Sequence, residues 1–308
     1  MLKIFRGIET YSSSRDACVT TGTFDGIHIG HKKILSKLSE EASELNCESV
    51  LVTFDPHPRK VLFPDQAGLQ LINTLEEKLQ LLESCKISAV IVHPFSLEFS
   101  RTSALIYVRD LIVNHVKMKK LVIGYDHQFG KNREGSIEQL AELAPLYDFS
   151  VDEIPAQDID DVKISSTKIR YALSDGHIKE ANAYLGYEFF ITGTVVRGKG
   201  RGKGLGFPTA NVSIEDSDKI IPKSGVYLVS VEVNGGSHKG VLNIGNNPTF
   251  ESGENQSIEV HILNFHQDIY GQKVQVKFFD RIRDEVRFDS REALVAQIGR
   301  DIKRALES

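Results

Sequence analysis

Cysteine is scarce in this chain: Cys18, Cys47 and Cys85 are odd in number, far apart in sequence and without Cys-x-x-Cys spacing. Neither a disulfide framework nor a zinc site follows from them, and all three read as reduced side chains. Long apolar runs are missing as well. No segment approaches the roughly 18 apolar residues that a membrane span requires. The N-terminal Met1-Leu2-Lys3-Ile4-Phe5-Arg6-Gly7 carries no extended apolar stretch behind its charges, so a cytoplasmic protein with no membrane partner is expected. An excess of positive charge is also lacking. With 37 Lys and Arg against 42 Asp and Glu the net charge is −5, which argues against nucleic-acid binding by the surface at large. The remainder, 41% hydrophobic and 26% charged over 308 residues without an internal repeat, suits one large or two ordinary globular domains.

Against that background stands Gly22-Thr23-Phe24-Asp25-Gly26-Ile27-His28-Ile29-Gly30-His31. The run Cys18-Val19 feeds it as a strand, and Ile34, Leu35, Leu38, Ala42 and Leu45 then recur at helical spacing. The turn therefore sits where free backbone N–H groups and the helix dipole attract phosphate. Three glycines with Thr23 and Asp25 between strand and helix favour close approach of a ligand to backbone. His28 and His31, at i and i+3, share a face from which imidazole N–H groups can bind ATP phosphates and stabilise charge on departing pyrophosphate. Two histidines near a helix start are also compatible with surface polarity plus a core contact. The turn by itself names a superfamily, since adenylyl transferases carry it and class I aminoacyl-tRNA synthetases have His-Ile-Gly-His as their signature.

Two halves differ in periodicity. Up to about Gly186, β-rich runs at 18–21, 50–54, 89–92 and 121–124 alternate with helical patterns, including 75–83, 104–113 and 137–146. That alternation predicts a parallel sheet wrapped by helices. Residues 166–185 predict two short helices broken at Asp175-Gly176. From Tyr187 onward strands dominate, at 189–196, 226–233, 238–244, 258–264 and 274–279, with Asn234-Gly235-Gly236 as a hairpin turn. The expectation is an α/β Rossmann-like domain over 1–186, then a small all-β barrel over 187–308 closed by a helix from about Arg291.

The second half opens on a glycine at every other position from 198 to 206, interleaved with Lys199, Arg201 and Lys203. An ordinary strand would not tolerate that pattern. A solvated basic loop that touches RNA is one reading, although the aromatics that stack bases are absent from it. Phe207-Pro208-Thr209-Ala210-Asn211 follows at once. It sets a hydroxyl and an amide carbonyl two residues apart on one side of an extended strand, within reach of a magnesium ion and phosphate oxygens.

Taken together, these stretches resemble the bacterial bifunctional riboflavin kinase/FMN adenylyltransferases, the FAD synthetases. The likeness extends over nearly the entire chain. It rests on 22–31, on Phe54-Asp55-Pro56-His57-Pro58, on 124–130 with Asp126, and on Ile164-Ser165-Ser166-Thr167-Lys168-Ile169-Arg170. In the second half it rests on the glycine loop with 207–211, on Gly225-Val226-Tyr227, on 243–250, on Glu259 ahead of His261, on Tyr270-Gly271 and on 281–285. The resemblance implies phosphorylation of riboflavin to FMN and adenylylation of FMN to FAD, with ATP as co-substrate, Mg2+ as cofactor and no nucleic acid. His28, His31, Arg170 and Glu259 would be catalytic. Gly22, Thr23, Phe24, Asp25, Gly30, Ser165, Ser166, Thr167, Gly198, Gly200, Gly202 and Gly204 would contact ATP, with Thr209 and Asn211 on magnesium. Phe54, Pro56 and Asp126 would face flavin, although the family usually has an aromatic where His127 stands. Read without the family, 165–167 is a helix N-cap cluster, Phe54 the end of a core strand and Glu259 a solvated strand acid. Arg281 and Arg283 are expected to pair with Asp284 and Glu285. A tRNA synthetase is disfavoured because Lys117-Met118-Lys119-Lys120 is a poor imitation of its mobile lysine loop. A flavin binder without catalysis is disfavoured by the presence of Glu259 and both histidines.

Overall fold

The computed structural model describes residues 1–64, 68–124, 130, 135–155, 164–198, 204, 206–247 and 255–307. They form two compact units, one of Met1–Leu69 with Leu75–Ser165, the other of Gln70–Thr74 with Ser166–Ser308.

The first unit is built on strands β1 (Lys3–Arg6), β2 (Ala17–Thr21), β3 (Glu48–Asp55), β4 (Ala89–Pro94), β5 (Met118–Gly124) and β6 (Ser150–Ile154), in the order β1-β4-β3-β2-β5-β6. Every pair is parallel. Helices α1 (Ile29–Glu44), α2 (Pro58–Leu62), α3 (Leu75–Glu83), α4 (Ala104–Ile106) and α5 (Ile137–Leu143) lie between the strands in sequence. Strands covered on both faces read as near-continuous apolar runs. Their period of two sends Val19, Val50, Val52 and Ile91 into one core and Cys18, Leu51, Val90 and Val122 into another. The chain runs outward from β2 through β3 to β4, then returns to place β5 on the other side of β2. The crevice beyond the carboxyl ends of β2 and β5 is thus a topological switch point, where open α/β sheets bind ligands.

Several details depart from the expected pattern. β1 and β6 are edge strands too short and mixed to stand out in sequence. The helix expected over 104–113 starts as α4 and continues as a π-helix, Tyr107–His115, closed by Val116 N–H donating to the Leu111 carbonyl. Leu45, counted with the buried stripe of α1, caps the helix instead and is 47% exposed. Cys18 and Cys47, distant in sequence, come together as buried free thiols, and burial pushes the Cys18 thiol up to about 12.

In the second unit α6 (Ser166–Asp175) and α7 (Ile178–Leu185) precede strands β7 (Phe190–Val196), β8 (Ala210–Ser213), β9 (Gly225–Val233), β10 (Gly236–Asn247), β11 (Asn255–Ile262) and β12 (Lys273–Arg283). These close into an antiparallel barrel in the order β10-β11-β8-β7-β12-β9. The β9–β10 hairpin turns on Asn234 and Gly235, with φ of 52° and 74°, the left-handed pair such a two-residue loop requires. Phe189, Tyr227 and Phe278 fill the core, Phe278 meeting the other two rings at 5.7 and 5.4 Å. Helix α8 (Arg291–Glu307) packs Ala305 and Ile302 against Leu228 and Leu263. Arg281 pairs with Asp284 at 2.7 Å as expected. Arg283 does not pair with the adjacent acids. Its guanidinium instead grips the buried carboxylate of Asp301 on α8 at 2.8 and 3.1 Å, because the end of β12 runs beside that helix.

Candidate active sites

The strand-to-helix turn at the switch point is strained. Phe24 and Ile27 hold φ of 46° and 36°, and Gly26 holds 91°. Left-handed backbone at bulky or β-branched residues costs on the order of 1–3 kcal/mol each and persists only where the surroundings over-determine it. Here Phe24 and Ile27 are 4% and 1% exposed and belong to the core beneath α1. Thr23 gives its carbonyl to two donors, Thr53 Oγ1 at 3.2 Å from β3 and Lys78 Nζ at 2.8 Å from α3. Asp25 is buried, and Gly30 is buried in the first turn of α1.

His28 is the N-cap of α1, its Nδ1 accepting from the His31 backbone N–H at 3.3 Å. An accepting Nδ1 leaves the proton of the neutral ring on Nε2, as a donor. The His28 and His31 rings stack at 3.7 Å and 18°, and Phe24 lies against His31 at 4.7 Å. Burial pushes the His28 imidazole down to about 4 against the pull of Asp25. Burial, then His28 and Lys78, hold His31 well below the usual histidine range. Both rings are therefore neutral hydrogen-bond donors at pH 7, held rigidly at a helix start. The sequence pointed to the pair and its shared face; Lys78, from α3, was not legible because nothing local links it to the turn.

At the carboxyl ends of β3 and β4 an aromatic wall forms. Phe54 meets Phe95 and Phe99 at 5.7 and 5.8 Å, and Phe99 meets His93 and Tyr107 at 4.5 and 6.1 Å. Phe54 thus ends its strand against the core and within this aromatic cluster. Exposed Pro56 follows it after a cis Asp55–Pro56 peptide. His93 Nδ1 accepts from Ile8 N–H at 3.2 Å, and burial lowers its pKa. The hydroxyls of Thr21 and Tyr107 lie 2.7 Å apart on the same side of β2 as the wall. Asp126 and His127 lie outside the described residues.

In the second unit Ser166 and Thr167 open α6, with Ser165 just ahead of it. One turn on, Arg170 donates Nε to the carbonyl of Gln70 at 2.7 Å.

The barrel assembles its own constellation. Glu259 on β11 stands opposite Asn211 on β8 and opposite Asn243 on β10, so three polar side chains form a row across adjacent strands. Their strand neighbours Ile258, Val260, Val212, Leu242 and Ile244 are buried, which turns the polar row away from the barrel core. Thr209 Oγ1 donates to Glu259 Oε2 at 3.2 Å. Asn211 rests on Gly198, where a Cβ would overlap its amide. Glu259, Thr209 and Asn211 are therefore brought together. Asn243 joins them from a stretch that the sequence marked without giving it a role. Gly200 and Gly202 lie outside the described residues, and at Gly204, ahead of this segment, the position a Cβ would take is open.

A parallel sheet with a histidine-bearing glycine turn at its switch point, followed by a closed barrel carrying an acid, a hydroxyl and an amide, defines a two-unit nucleotide-dependent transferase. Residues 10–168 match the FAD synthetase family model and residues 185–308 the riboflavin kinase model. A bifunctional riboflavin kinase/FMN adenylyltransferase of Listeria monocytogenes is 37% identical over 91% of this chain and 88% of its own. One of Escherichia coli strain K12 is 38% identical over 99% and 97%. A crystal structure described as a macrolide-efflux protein from Streptococcus pneumoniae superposes with a TM-score of 0.90 at 32% identity, covering 100% of both chains. The chain belongs to the family of bifunctional riboflavin kinase/FMN adenylyltransferases.

Proposed function

We propose that this chain transfers the γ-phosphoryl group of ATP to riboflavin, giving FMN, and then adenylylates FMN with a second ATP, giving FAD and pyrophosphate. The kinase is assigned to residues 187–308 and the adenylyltransferase to 1–186. The observation that carries this reading is that the two units hold chemically different constellations, one with two stacked neutral imidazoles at a helix start, the other with a carboxylate beside hydroxyl and amide oxygens.

That difference matches the two nucleophiles. In adenylylation the FMN phosphate attacks the α-phosphorus; its second pKa is about 6, so it is ionised at neutral pH and needs no base. The site has only to align the two phosphates and meet the charge that grows on pyrophosphate as the Pα–O bond breaks. His28 and His31 donate to that charge, the turn Gly22, Thr23, Phe24, Asp25 with Gly30 cradles the triphosphate, and Ser165, Ser166, Thr167 and Arg170 supply further donors. Phe54, Pro56 and Asp126 receive the flavin. In the kinase the ribityl hydroxyl must lose its proton as its oxygen bonds to the γ-phosphorus and ADP leaves. Glu259 accepts that proton, while Gly198, Gly200, Gly202 and Gly204 cover the phosphates. A magnesium ion fits the hard oxygen donors Thr209 and Asn211, which would hold it alongside substrate phosphates, where it would neutralise phosphate charge. ATP as co-substrate and free cysteines suit the cytoplasm.

No described helix is long and apolar enough to cross a membrane, and no observation favours macrolide efflux as a second reading. Incubation with riboflavin, ATP and magnesium, followed by chromatography, tests the function. FMN and then FAD are expected, and no conversion of riboflavin would refute it.

A further inference from the structure

Lys78 is 7% exposed in the middle of α3, an element that contributes nothing else named so far to either reaction. A lysine buried to that degree is costly unless its ammonium is paired. It is paired with backbone: Nζ donates to the Thr23 carbonyl at 2.8 Å, inside the strained turn; burial lowers the pKa of the ammonium, and Asp25 from that turn and Asp55 from the end of β3 partly offset this. The same carbonyl takes a second bond from Thr53 at 3.2 Å. This doubly held carbonyl lies directly before Phe24, the first of the turn's two left-handed bulky residues.

The geometry points to Lys78 as a positioning residue for adenylyl transfer, which clamps the turn 22–26 in its strained form and so fixes the backbone N–H groups and the His28/His31 pair that face the triphosphate. This rests on the function assigned above to the turn. The ammonium is enclosed by protein and holds the turn by its carbonyl, so it shapes the site from behind instead of meeting the nucleotide as a point charge. It has a second effect through space. His31 is faced by His28 from the cap and by Lys78 from α3, and both disfavour its protonation, whereas Asp25 and Asp55 act on Lys78 itself. Removing the cation therefore lets His31 protonate at higher pH.

The test compares Lys78→Met, Lys78→Arg, Thr53→Val and His31→Ala in the full-length enzyme, following FAD formation from supplied FMN and FMN formation from riboflavin. Lys78→Met is expected to lower kcat for FAD formation about 10²-fold, with KM for ATP changed less than threefold and kinase activity unchanged. The acid limb of its kcat profile should move to higher pH, because the Lys78 charge is one of the groups that hold the His31 pKa down. Lys78→Arg, which keeps a cation and donors, should recover a large part of kcat and the original limb. Thr53→Val removes the other donor but keeps the cation and the volume, so it should lower kcat roughly tenfold with the acid limb in place. A rise in KM for ATP at unchanged kcat in Lys78→Met would make the lysine a direct phosphate contact and overturn the inference. So would an unshifted acid limb, or full activity in Thr53→Val, the variant least prone to misfold. If His31→Ala makes FAD normally, the assignment of the turn fails; if His31→Ala is inactive while Lys78→Met is normal, only the role of Lys78 fails.

Discussion

Lys219 Nζ donates to the carbonyl of Ile72 at 2.6 Å, across 147 residues of sequence. The ammonium is buried, with the Phe189 and Phe190 rings 4.5 and 5.6 Å away. Backbone bonds flank it, Leu71 N–H to the Asp218 carbonyl at 2.6 Å and Ile220 N–H to the Leu71 carbonyl at 2.8 Å. The barrel-bearing unit thus includes Gln70–Thr74, a segment from the first half of the sequence.

Lys219→Met would leave the Ile72 carbonyl without this donor. A hydrogen bond from a charged donor contributes about 1.5–3 kcal/mol, so the urea midpoint of the second unit should fall accordingly. A fragment beginning at Tyr187 lacks Ile72 altogether. It should phosphorylate riboflavin, yet unfold at a lower urea concentration than the same barrel in the intact chain. A fragment as stable as the intact barrel would show that the bond to Ile72 contributes nothing.

This segment also marks where reading the sequence stops. The turn at 22–31 was legible because strand, glycines, cap and helix are consecutive, and local geometry follows from local residues. Alternating periodicity likewise betrayed the parallel sheet and the change to a barrel near Tyr187. Lys78, the Phe95 and Phe99 wall, Asn243 and the Arg283–Asp301 pair depend on which elements the topology makes neighbours. A buried lysine and a surface lysine look alike in sequence. Strand β8 was legible only as the extended strand through Asn211, since the glycines before it mask the start of any alternation.

His31→Ala should abolish FAD formation while sparing FMN formation. Loss of one donor to developing charge costs roughly 10²–10³ in rate, and the kinase constellation in the other unit shares no residue with this pair. Parallel assays on riboflavin and on supplied FMN check it. Equal loss of both activities in a folded mutant would contradict separate sites.

Stability of the first unit should depend on pH through His28. Its folded pKa, about 4, lies below the value of 6.5 expected when unfolded. The unfolded chain therefore binds the proton first as pH falls. The stabilisation is fully present above pH 6.5, is lost progressively between 6.5 and 4, and changes no further below that. At about 1.4 kcal/mol per unit the loss amounts to about 3 kcal/mol, and His31 acts in the same direction. Urea titrations at several pH values should show this slope, and His28→Asn, which keeps a capping side chain, should flatten it. A wild-type midpoint constant from pH 7 to 4.5 would mean that the rings are not buried neutral.

Glu259→Gln separates the two reactions from the other side. Only the kinase nucleophile carries a proton that must leave, and Glu259 already holds the hydroxyl of Thr209 at 3.2 Å, in line with Asn211 and Asn243. Glutamine keeps the size and can still accept from Thr209 through its carbonyl, so the barrel should fold and bind ATP. It cannot take the proton. FMN formation should slow by about 10²–10⁴, while FMN supplied from outside is converted to FAD at the normal rate. The effect should fall on kcat, with KM for riboflavin and ATP little changed, because the carboxylate acts on the hydroxyl only as its proton moves. Kinase activity within a few-fold of wild type would leave Glu259 an acceptor for Thr209 and pass the proton to solvent or phosphate.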